Sequence, residues 1–122
     1  MLRILVTGSR DWWDVDTIRR AIFRELYEMK CPHNWATLIH GDCPTGADRI
    51  ADDYAKTFGM RIERFPADWA CYGKSAGFKR NAAMVEQRPD VCLAFIRANS
   101  RGASMTAALA ERASIPTVRY VA

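Results

Sequence analysis

Short aliphatic or β-branched runs alternate along this chain with longer stretches in which apolar residues recur at helical spacing. The runs are RILVTG (3–8), ATLIHG (36–41), MRIERF (60–65), DVCLAF (90–95) and PTVRYV (116–121), and each has the length and composition of a strand. Between the first two, Ile18, Ile22, Leu26 and Met29 line one face of a predicted helix. Between the second and third, Ala47, Ile50, Ala51, Tyr54, Ala55 and Phe58 do the same, and Gly59 follows where such a helix would stop. Phe78, Ala82 and Val85 mark a third helix. Met105, Ala108 and Leu109 mark a fourth, in GASMTAALAERA, whose alanines would let it lie close to a sheet. PADWACYGKSAG (66–77) is the longest stretch without a predicted element, and loops of that length are often functional.

Strict alternation of strand and helix gives an α/β fold, a Rossmann-like doubly wound parallel sheet of five strands with helices on both faces. The expected strand order is 3-2-1-4-5. A length of 122 residues suits one domain spanning 1–122. Ligands of such sheets bind beyond the carboxyl ends of the strands where strand order reverses, here between strands one and four. The loops TGSRDWWD and IRANSRGAS meet at that point, with HGDCPTGAD beside the first.

Charge and cysteine content narrow the chemistry only slightly. Lysine and arginine exceed aspartate and glutamate by 18 − 14 = +4, which permits attraction to nucleotides or nucleic acid without requiring it. MLRILVTG lacks the apolar core of a signal peptide and no run approaches a membrane span, so a cytoplasmic protein without membrane partners is expected. Cys31, Cys43, Cys71 and Cys92 are widely and unequally spaced, with no CxxC pair, so no metal site is expected and the thiols are read as reduced.

The loops carry the candidate chemistry. Glycine permits close approach of a ligand to the backbone, and a helix N-terminus favours an anion; Gly8, Gly46 and Gly102 are placed for both. Neither GxGxxG nor GxxxxGK[ST] is present. Thr45 and Asp48 form T-x-x-D, a capping box, so Asp48 is expected to cap its helix or bind ribose hydroxyls rather than phosphate. Asp42 has no such structural role and stands as a functional candidate. Ser75 can cap the third helix, where Lys79 and Arg80 sit against the dipole and a bound anion would offset the cost. Arg10 and Arg101 lie beyond strand ends and offer bidentate contacts to phosphate. His40, after the second strand, is either a satisfied structural histidine or an acid–base group. Trp12, Trp13 and Trp69 could stack on a base or serve as staples and lids.

GSRDW, HGDCPTGADRIADDYA, FPADW, GFKRNAAM and LAFIRANSRGASMTAALA, in that order and over almost the whole chain, resemble the YspA-like family of the SLOG superfamily. The resemblance implies a Rossmann-like domain for nucleotides, nucleotide-derived ligands or nucleic acid. Gly8, Ser9, Arg10, Gly41, Gly46, Asp48, Arg80, Asn81, Ser100, Arg101 and Gly102 fall on its matching positions. The related LOG enzymes, which cleave the base from a nucleoside monophosphate, carry PGGxGTxxE after the fourth strand. Here NSRGASMTAA lacks the paired glycines and places Ala107 and Ala108 about where the catalytic glutamate would fall.

The leading expectation is therefore a sensor-type binding domain for a nucleotide or nucleotide derivative, with no further cofactor. Its phosphate would be held by the glycine loops, Thr45 and the arginines. The alternative is a LOG-like N-glycosidase or phosphohydrolase without the usual glutamate, using Asp42, Asp48 or His40 as acid or base. A further alternative is DprA-like binding of single-stranded nucleic acid. A homo-oligomer stays open, since related folds dimerise through their helices.

Overall fold

In β1 (Leu2–Gly8) successive side chains point to opposite faces, and both faces are apolar: Ile4 and Val6 on one, Leu5 on the other, all fully buried. A strand covered on both sides belongs inside a parallel sheet. The computed structural model, which describes residues 1–98 and 100–122, has β1 at the centre of five strands. It pairs in parallel with β2 (Ala36–His40), Ile4 opposite Leu38, and with β4 (Val91–Ile96), Val6 opposite Leu93. The shorter β3 (Arg61–Arg64) and β5 (Thr117–Val121) close the edges in parallel, giving the expected order β3-β2-β1-β4-β5.

Helices cover the two faces in pairs. α1 (Val15–Glu28) and α2 (Gly46–Phe58) bury Ile18, Ile22, Leu26, Ala51 and Ala55 against Leu2, Ile4 and Val6. The Asp14 carboxylate starts α1 by accepting from the Thr17 amide and hydroxyl, and Gly59, at φ +76°, ends α2 in the left-handed conformation expected of it. On the opposite face, α4 (Ala76–Glu86) and α5 (Arg101–Arg112) place Met84, Val85 and Ala110 on Leu5, Ile39 and Cys92. Ala103 and Ala107 lie on Ala94 and Ile96.

The helix faces differ in part from those the periodicity predicts. α5 turns its small side to the sheet, Ala103, Thr106, Ala107 and Ala110, and leaves Met105, Ala108 and Leu109 only half-buried on its flanks. Close approach to a sheet selects small residues at the contact, so the larger ones move outward. In α4 Phe78 is exposed and Asn81 is buried instead, its amide oxygen accepting from Arg80 Nε at 2.7 Å. Met29 caps the end of α1 and is likewise exposed. The stretch 66–77 contains a single-turn helix, α3 (Trp69–Tyr72), started by the Asp68 carboxylate accepting from the Cys71 amide. A 3-10 turn, Gly73–Ser75, follows it. One turn shows no period in a sequence, which is why the segment reads as loop. Ser75 donates its hydroxyl to the Tyr72 carbonyl and does not cap α4. All four cysteines are free, and among the described residues no helix is long and apolar enough to cross a membrane.

Candidate functional site

The carboxyl ends of β1 and β4, where the strand order reverses, border a crevice of about 450 Å³. Of the residues anticipated from the sequence, Gly8, Ser9 and Arg10 line it from the end of β1 and the loop after it, Gly41 from the loop after β2 and Asp48 from the first turn of α2. Arg80 and Asn81 line it from α4, and Ser100 and Gly102 from the start of α5. Thr45, Gly46 and Arg101 do not border this crevice, nor do Asp42 and His40, which face a neighbouring hollow. Arg97 does border it and was not anticipated, because a residue directly after a strand carries no turn signature.

The glycines answer different needs. A Cβ on Gly8 would overlap the Ala47 Cβ and the Phe95 carbonyl, so this glycine lets α2 pack onto the strands. Gly46, at φ +72°, is doubly constrained: a Cβ there would also strike the Ser9 and Arg10 carbonyls. The start of α2 is docked against the first loop, Ala47 N–H donating to the Ser9 carbonyl at 3.2 Å and the Thr45 hydroxyl to the Arg10 carbonyl at 2.9 Å. The expected capping box is therefore absent. Thr45 spends its hydroxyl on another loop and Asp48 reaches back to the Cys43 amide instead, at 3.3 Å. Protein carbonyls, rather than an anion, occupy this helix end. α5 is the opposite case. A Cβ on Gly102 would meet nothing within 4 Å, and the Ser100 side chain does not cap the helix. Gly102 and Ala103, in the first turn whose amides a helix cannot pair internally, line the crevice.

Three arginines, Arg10, Arg80 and Arg97, line the crevice. Arg80 is fixed, its Nη1 donating to the Gly41 carbonyl at 2.5 Å while its Nε holds Asn81. The Arg97 guanidinium pairs with Asp11 at 2.7 Å. Arg10 makes no ion pair among the described residues. Ser9 joins the two walls, because its hydroxyl accepts from the Arg97 amide at 2.7 Å and donates to the Arg97 carbonyl at 3.2 Å.

The acidic groups separate sharply. Asp48 is 6 % exposed, and its Oδ1 has no hydrogen-bond partner although it is buried. Burial pushes its carboxyl pKa up, against the opposing pull of His40, the Cys43 amide and Arg80. A carboxyl whose pKa is raised on folding loses stability as pH climbs from the ordinary value of 3.8 towards the raised one. Asp48→Asn is accordingly expected to stabilise the fold at neutral pH by about 1 kcal/mol, or about 4 °C in Tm. The gain should vanish below pH 3.8; thermal melts across the acid range check it.

His40 is a structural residue in this setting. At 1 % exposure, its Nδ1 accepts from the Asp42 amide at 2.9 Å and its Nε2–H donates to Asp52 at 2.7 Å, which leaves neither nitrogen free for acid–base work. Asp52, a residue the sequence did not single out, also accepts from Arg64 at 2.8 Å and pairs with Lys56 at 3.1 Å. Asp42 adopts φ +58° beside this network, with its side chain exposed. Trp12 is a core residue, edge-on to Phe95 with its indole N–H on the Asp14 carbonyl, and cannot stack on a ligand. Trp13 and Trp69 remain exposed. Ala107, near the position of the LOG glutamate, is fully buried on the sheet.

Comparison with known proteins finds a match over residues 2–72 to the family described as "YspA, cpYpsA-related SLOG family". The Gene 61 protein of Mycobacterium phage D29 is 40 % identical over 127 aligned residues, covering 98 % of this chain and 97 % of that protein. No solved structure gives a significant match.

Proposed function

Because the chain belongs to the YspA, cpYpsA-related SLOG family, a membership that suggests a nucleotide-related function, we propose that the crevice binds the phosphate of a nucleotide or nucleotide-derived ligand. The observation that carries this reading is the start of α5, where the Ser100 side chain makes no cap and Gly102 lines the crevice together with Arg10 and Arg97. Aligned backbone amides and guanidinium groups together favour a phosphate over neutral ligands. Ser100 adds a hydroxyl at the same end. Calorimetry against AMP, ADP-ribose, NAD and cyclic nucleotides tests the reading. At least one should bind, and uniform silence from a folded protein would overturn it.

Asp48 favours a second reading, turnover of the bound nucleotide. A buried carboxyl with one unpartnered oxygen, its pKa pushed up by burial, can give a proton to a leaving base while water takes the sugar carbon. This is the glutamate-free N-glycosidase or phosphohydrolase alternative, with Asp48 rather than His40 or Asp42 as the acid. Release of free base by the wild type, lost in Asp48→Asn while binding persists, would support it.

A further inference from the structure

A second hollow, of about 230 Å³, continues the crevice along the carboxyl edge of the sheet towards β3. Arg10, Gly41, Cys43 and Arg80 line both spaces, so they share a wall. The far side of the hollow is Pro66, Ala67 and Trp69. Trp69 leaves 52 % of its surface in water, although the Asp68 cap holds α3 in a defined turn and the indole edge rests over Gly77. A positioned, half-exposed indole beside a hollow can serve as a stacking platform.

The groups along this edge follow the strand order. The start of α5 lies beyond β4, the buried unpartnered Asp48 Oδ1 comes from the first turn of α2, which follows β2, and Trp69 from the segment after β3. An anion site, an acceptor for hydroxyls and an aromatic platform in that sequence match a phosphate, a sugar and a base joined in line. We propose that the side hollow takes the base of a nucleoside phosphate, stacked on Trp69, with the sugar beside Asp48 and the phosphate at the start of α5. The inference rests on the phosphate reading above. Arg80, fixed between Gly41 and Asn81, forms the floor where the two spaces meet.

Titrations of AMP and of ribose 5-phosphate, followed by calorimetry and by tryptophan fluorescence, separate this inference from the reading it rests on. AMP should bind more tightly than ribose 5-phosphate and quench the fluorescence. Trp69→Ala should weaken AMP about tenfold and leave ribose 5-phosphate unchanged. Trp69→Phe should keep most of the AMP affinity and lose most of the quenching. Unchanged AMP affinity in Trp69→Ala, or equal losses for both ligands, would overturn the base site and leave the phosphate site standing. If neither ligand binds the wild type, the base site falls, whereas the phosphate reading falls only on silence across the whole panel named above.

Discussion

Asp52→Ala is expected to lower the unfolding free energy by about 3 kcal/mol. The carboxylate is 5 % exposed and receives hydrogen bonds or ion pairs from His40, Arg64 and Lys56. Removing it leaves His40 Nε2–H buried without a partner, a penalty of about 1–3 kcal/mol, and opens a small void beside β2. Arg64 and Lys56 are half-exposed and can turn to water, which keeps the total near the lower end for a broken buried ion pair. Burial alone would raise the Asp52 pKa, but the hydrogen bonds from Arg64, His40 and Lys56 outweigh it and hold the carboxyl well below the usual range. A depressed carboxyl pKa contributes stability above the unfolded value of 3.8 and loses it as pH falls through the folded one. Urea unfolding should therefore show the full gap between wild type and variant at pH 7 and a narrowing gap below pH 3.8. A gap independent of pH would assign the loss to packing.

Gly102→Asp should separate stability from binding in opposite directions. The position is exposed and in the first turn of α5, and an added Cβ meets nothing within 4 Å. Aspartate is a better helix residue than glycine, and a negative charge near a helix N-terminus stabilises by about 0.3–1 kcal/mol, so Tm should hold or rise. The same carboxylate would stand where the phosphate is proposed to sit and repel it. An affinity loss of about 2 kcal/mol or more, at least 30-fold, is the expected result for any phosphorylated ligand that binds the wild type. Thermal denaturation and calorimetry on one preparation check both signs. Unaltered affinity would remove the start of α5 from the site.

The strand order and the place of the crevice were legible in the sequence because both follow from coarse patterns. Apolar runs such as DVCLAF mark buried strands, alternation with helices fixes parallel pairing, and strand order then places the crevice between β1 and β4. The division of labour among the loops was not legible. T-x-x-D at Thr45 and Asp48 satisfies the capping-box pattern, yet the Ser9 and Arg10 carbonyls fill the start of α2 and divert Thr45. No local rule reveals that, since the competing acceptors lie some 35 positions away in the chain. Asp52 escaped notice for the same reason: its partners His40 and Arg64 belong to β2 and β3, and only the sheet brings them beneath α2. Gly8, Gly46 and Gly102 look alike as letters. Their surroundings divide them into two packing glycines and one that faces open space.

Ser9 accounts for how a visitor would experience this crevice over time. Its amide holds the Phe95 carbonyl, its hydroxyl clasps both backbone groups of Arg97, and its carbonyl receives the Trp12 and Ala47 amides. The loop after β1, Phe95 and Arg97 at the end of β4 and the head of α2 are thus tied to one residue. Nothing need close before a ligand settles, and little ordering entropy is lost when it does. On the proposed phosphate reading, arrival should then be governed by diffusion and charge, nearly alike for all anionic candidates, and ligands should differ mainly in how long each one stays.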